Sequence, residues 1–136
     1  MKRPAFKKFN NEIKYWNLDR GIKELVIGLN YHRIRTTNSC EGHEKKGFNH
    51  PYIDILAKDG VNLLKLVRWF NIQVYRRKTK NDTVWIILPR GELRLMPELS
   101  GRDIGSKKKR ISLKKMQISA LEFGKMIQKI NKIPES

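Results

Sequence analysis

The chain has one cysteine, Cys40, and three histidines. A lone thiol forms no intramolecular disulfide and cannot complete a thiolate-rich zinc site within one chain, so a reducing, cytoplasmic setting is the expectation. No run approaches the ~18 apolar residues that a membrane span needs, and Met1-Lys2-Arg3-Pro4 leads to Lys7, Lys8 and Asn10 instead of an apolar stretch. Neither a transmembrane segment nor a signal peptide is expected. Acidic residues are also scarce: 13 Asp+Glu against 30 Lys+Arg leave a formal net charge of +17 and a pI near 10.3. Zinc-finger, RNP, KH and P-loop patterns are missing too, so no named nucleic-acid motif accompanies that charge.

An excess of this size attracts polyanions, which makes nucleic acid, RNA slightly ahead of DNA, the first partner to expect. A protein with an acidic surface is the alternative. The basic residues fall in sets: Arg33 and Arg35; Lys45 and Lys46; Arg76, Arg77 and Lys78; and Lys107, Lys108, Lys109 and Arg110. With 136 residues the chain is long enough for one real core, and a single domain over 1–136 is expected.

Hydropathy patterning predicts the elements in turn. Phe6, Phe9, Ile13 and Trp16 recur at three- and four-residue intervals, as in a short helix or an arm within residues 1–18. Asp19 reads as an N-cap for a helix over 20–30, in which Ile22, Leu25, Val26 and Leu29 share one face. The alternation over 32–37 predicts a strand, and Tyr52, Ile53, Asp54 and Ile55 a second, with Tyr52 and Asp54 opposite Ile53 and Ile55. Leu63, Leu64, Val67 and Phe70 mark another helix, 72–76 alternates like a strand, and 83–88 is apolar enough for a central strand. Residues 92–96 form a hairpin arm stopped by Pro97, 100–110 reads as a mobile basic loop, and Ser119 with Glu122 forms a capping box for a C-terminal helix. The implied class is α+β, a two-layer sandwich with helices on one face of a mainly antiparallel sheet.

The densest chemistry lies at 36–43, Thr-Thr-Asn-Ser-Cys-Glu-Gly-His, read as a loop. Three readings stay open. Cys40, His43 and His50, with Asp54, carry ligand types that share a metal. Cys40 and His43 form a nucleophilic pair if Glu41 or Asp54 orients the imidazole. Alternatively Thr36, Thr37, Ser39 and the Gly42 turn present hydroxyls and amides to a phosphate or small anion. A purely structural loop is the bland counterpart of all three.

The segment, with Pro51-Tyr52-Ile53-Asp54 downstream, resembles a group of uncharacterised bacterial and phage proteins bearing Thr-Thr-x-Ser-Cys-Glu-Gly-His, a likeness that implies a shared site without naming its activity. Residues 38–43 are also similar to the Ser-Ser-Cys-Ser-Gly-Arg signature of the wybutosine-synthesis methyltransferases that act on phenylalanine tRNA. That similarity implies an RNA-modifying enzyme using S-adenosylmethionine, with Ser39, Cys40 and Gly42 at matching positions, Glu41 in place of a serine and His43 in place of an arginine. A metal-dependent hydrolase built on the same residues is the other enzymatic expectation.

Overall fold

The computed structural model describes residues 20–43, 50–80, 82–98 and 112–135. Helix α1 (Lys23–Tyr31) leads into strand β1 (Thr36–Cys40), then β2 (Tyr52–Ile55), a short 3-10 turn (Ala57–Asp59), helix α2 (Gly60–Tyr75), the β3 (Trp85–Arg90) and β4 (Glu92–Pro97) hairpin, and helix α3 (Leu113–Gln128). The four strands form one antiparallel sheet in the order β1-β2-β4-β3, so the chain is an α+β sandwich. The predicted arm at 1–18 and loop at 100–110 lie outside the described residues.

Register assigns the sheet faces. Ile53 opposes Leu95, which opposes Ile87, and these point with Ile55 and Trp85 toward the helices. Tyr52 and Asp54 therefore project from the other side, as the alternation predicts. Trp85 anchors the helical layer: its indole N–H donates to Ser119 Oγ at 2.9 Å, and its ring meets Phe123 edge-on. Phe123 in turn stacks on Phe70 with centroids 4.3 Å apart. Asn71 bonds both the N–H and the C=O of Trp85, pinning α2 to that strand.

Five expectations need correction. The strand read at 32–37 starts only at Thr36, because His32 caps α1 and Arg33 turns the chain in a left-handed conformation. Residues 72–75 continue α2, because Val74 joins the buried stripe of Leu63, Leu66, Val67 and Phe70, and an established helix propagates at little cost. The apolar strand β3 lies at an edge of the sheet; burial of Trp85 against the helices accounts for its composition. Asn38, Ser39 and Cys40 belong to β1, which pairs with β2 across a bulge at Thr37, so the supposed loop is half strand. The helix cap is Ser112, whose Oγ accepts the Lys115 N–H; Ser119 is fully buried inside α3.

Two glycines let α1 and α3 approach closely. A methyl group on Gly124 would stand 2.4 Å from the Glu24 carbonyl carbon and 2.5 Å from Leu25 N, both backbone atoms that cannot rotate away. One on Gly28 would meet Ile127 at 2.6 Å. Gln128 Nε2, bonded to both the backbone and side-chain oxygens of Glu24, and His32 Nε2, 2.7 Å from Ile127 O, complete the seam. Gly124→Ala should separate the helices and cost about 2–3 kcal/mol, the upper range of core overpacking. Urea denaturation measures this; a cost below about 0.5 kcal/mol would mean that the seam is loose.

Candidate nucleic-acid interface

Strand alternation disperses the 36–43 residues. Thr36 and Ser39, opposite Ile55 and Ile53, share the helix-facing side, and Thr36 Oγ1 accepts a 2.8 Å bond from Asn30 Nδ2. Asn38 and Cys40, opposite Asp54 and Tyr52, face away from the helices. Thr37, at the bulge, donates to Glu92 Oε1 at 2.6 Å. Of the four residues expected to cradle an anion, Thr36 and Ser39 thus share a face while Thr37 turns to Glu92, and of the methyltransferase likeness Ser39 and Cys40 lie on opposite faces.

Glu41 turns toward the helices. Its carboxylate accepts the Gly21 N–H just before α1, and its carbonyl accepts Gln117 Nε2 of α3. That position suits a negative charge, since the first amides of a helix lack intrahelical acceptors. It makes Glu41 a clasp between β1 and both helices. Gly42 has φ +91°, and a Cβ there would lie 2.7 Å from Leu113 Cδ1 and 2.8 Å from the His50 carbonyl carbon. Its N–H donates to Cys40 Sγ at 3.4 Å, while His43 is exposed. Among the described residues no three His, Cys, Asp or Glu side chains converge as metal ligands, so Cys40, His43, His50 and Asp54 do not assemble into one set.

Asp54 instead pairs with Arg94 in a two-point ion pair of 2.8 and 3.0 Å, and the guanidinium lies 3.9 Å over the Tyr52 ring. Asn38 Nδ2 reaches Tyr52 Oη at 3.4 Å. This polar sandwich closes the sheet face away from the helices, with Asp54 and Arg94 side chains only 16% and 12% exposed. His50 is buried beside it; burial, then the Arg94 charge, holds its imidazole below the usual value. Burial likewise lowers His32, against the opposing effect of its bond to Ile127.

The basic residues arrange themselves differently from the sequence expectation. Arg35 is committed to Asp59, through two guanidinium bonds of 3.1 Å and a backbone bond of 2.9 Å, which also holds the Asp59 carboxyl below its ordinary range. Lys45, Lys46, Lys107, Lys108, Lys109 and Arg110 lie outside the described residues. Arg76, Arg77, Lys78 and Lys80 are exposed where α2 ends. The Lys80 N–H donates to Glu122 of α3 at 2.8 Å, laying this segment along α3. Lys125 and Lys129, three and seven residues beyond Glu122, are exposed on the same side of that helix. Sequence inspection missed this juxtaposition, because nothing local links 76–80 to 122–129.

Both α1 and α2 end in the same turn. Arg33 N bonds Asn30 O and Ile34 N bonds Leu29 O; Arg77 N bonds Val74 O and Lys78 N bonds Gln73 O. These are Schellman turns, whose left-handed residue is ordinarily glycine. Here it is arginine in both, Arg33 at φ 63° and Arg77 at φ 58°, each exposed and without an ion pair among the described residues. A left-handed non-glycine residue costs roughly 1 kcal/mol. Stability alone does not account for arginine at these two positions.

Comparison with protein-family models, curated proteins and solved structures found no match.

The two histidines generate a pH dependence with a definite sign. Both are lowered in the folded chain from 6.5, so as pH falls the unfolded chain takes up protons first and stability declines from about pH 7 downward. Urea midpoints at pH 7.5, 6.0 and 5.0 should fall in that order, and combining His32→Asn with His50→Asn should flatten the trend between pH 7.5 and 6.0. An unchanged slope in that double variant would assign the effect to other groups.

Proposed function

We propose that the protein binds nucleic acid, RNA slightly preferred, through the basic surface formed by Arg76, Arg77, Lys78 and Lys80 with Lys125 and Lys129. The observation that carries this reading is how the scarce carboxylates are used. Glu41 receives a helix-start amide, Asp59 holds Arg35, Asp54 holds Arg94, Glu92 accepts from Thr37, Glu24 from Gln128, Glu122 from Lys80 N–H, and Glu135 pairs with Lys65. Ion pairs among the described residues neutralise only Arg35, Lys65 and Arg94. Arg76, Arg77, Lys78, Lys80, Lys125 and Lys129 thus form no ion pair among the described residues, and Arg77 takes the left-handed turn position that glycine ordinarily fills.

Binding driven by phosphate contacts releases counterions, so log affinity should fall linearly with log salt, at about 0.7 per contact on single strands and 0.9 on duplex DNA. Single-stranded RNA, duplex RNA and duplex DNA titrated over a salt series test the reading. Arg77→Gly should behave in opposite senses in two assays, raising stability by about 0.5–1 kcal/mol through relief of the left-handed conformation and weakening binding with a shallower salt slope. Absence of binding to all three ligands at low salt would refute the proposal, and unaltered binding in Arg77→Gly together with Arg76→Ala and Lys78→Ala would place the contacts elsewhere.

A further inference from the structure

Helix α2 has two apolar faces. Leu63, Leu66, Val67, Phe70 and Val74 fill the core. Val61, Leu64, Ile72 and Tyr75 are 70%, 48%, 37% and 75% exposed, and with Arg68 they recur at intervals of three, four, four and three. At 100° per residue these five positions fall within about 80° of arc, a straight stripe about 21 Å long. Single exposed apolar residues are ordinary, whereas four large ones in register along one helix form a contact surface.

We infer that this stripe docks an acidic amphipathic helix of a partner protein. Arg68 lies mid-stripe, exposed and without an ion pair among the described residues, whereas Lys65 beside it is paired with Glu135. A partner helix would set apolar side chains against Leu64 and Ile72 and a carboxylate against Arg68, its acidic face being favoured by the chain's net charge of +17. A second copy of this chain is a poor occupant: antiparallel stripes would oppose Arg68 to Arg68 between molecules of charge +17. An anionic bilayer is also disfavoured, because the midline position of Arg68 would carry its charge into the apolar layer. The stripe adjoins the basic surface formed with α3 at Tyr75 and Arg76, while Leu64, Arg68 and Ile72 lie outside that surface.

The test uses a synthetic 18-residue helical peptide with leucines at the first, fourth, eighth, twelfth and fifteenth positions, a glutamate one turn from the eighth, and glutamates on its flanks. The control is the same composition scrambled. By fluorescence anisotropy at 150 mM salt the full chain should bind the patterned peptide about tenfold more tightly than the scrambled one. Leu64→Ser with Ile72→Ser, and separately Arg68→Glu, should each weaken it at least tenfold while leaving the melting temperature and RNA affinity unchanged. Equal affinity for the scrambled peptide, or no loss in either variant, would overturn the inference. So would a wild-type dimer in sedimentation, or co-sedimentation with phosphatidylserine vesicles, abolished by Leu64→Ser with Ile72→Ser. A fall in RNA affinity in that double variant would also overturn it, by making the stripe part of the nucleic-acid surface.

Discussion

Close approach of α1 to α3 at Gly124 is the constraint on which the other contacts depend. Because a Cβ there would run into the α1 backbone, the helices pack at glycine distance and their starts come together. Glu41 can then reach Gly21 N while its carbonyl holds Gln117, tying the end of β1 to both helices. Phe123, one residue before Gly124, is fixed between Phe70 and Trp85. Widening the seam would loosen β1, the aromatic stack and the placement of β3 together, since tightly packed interiors transmit displacement.

Scarcity of negative charge shapes the surface as strongly as the glycines shape the core. With 13 acidic residues against 30 basic ones, carboxylates occupy positions where an acceptor is structurally needed: an amide before a helix, a bulge hydroxyl, the Arg94 guanidinium behind the sheet. Among the described residues, cations other than Arg35, Lys65 and Arg94 form no ion pair, at some cost in self-repulsion in the folded state. Within 36–43, Thr36, Thr37 and Glu41 have structural partners, while the cations at the end of α2 form no ion pair among the described residues.

Much of the architecture was legible in sequence because it follows from burial. Ile22, Leu25, Val26 and Leu29 are buried at helical spacing, Ile53 and Ile55 alternate against Tyr52 and Asp54, and Trp85 is core. What was not legible depends on partners distant in the chain. Residues 72–75 carry β-branched alternation, yet helix propagation and burial of Val74 decide their state. Ser119 with Glu122 has the pattern of a capping box, but Ser119 is required by the indole of Trp85, 34 residues away. The cluster at 36–43 looked like a single site because its residues adjoin in sequence; strand alternation sends neighbours to opposite faces. The basic surface was hidden for the converse reason, since Lys80 and Glu122 meet only in the fold.

The most direct test of nucleic-acid binding at the α2–α3 surface is an amide NMR titration of the full chain with a short single-stranded RNA at low salt. The account predicts that shift changes concentrate at residues 76–80, 125 and 129, with β2 and the Asp54–Arg94 pair unmoved. Changes centred on Asn38, Cys40, Tyr52 and Arg94 would return the site to the sheet face, and a spectrum unchanged at saturating RNA would contradict nucleic-acid binding altogether.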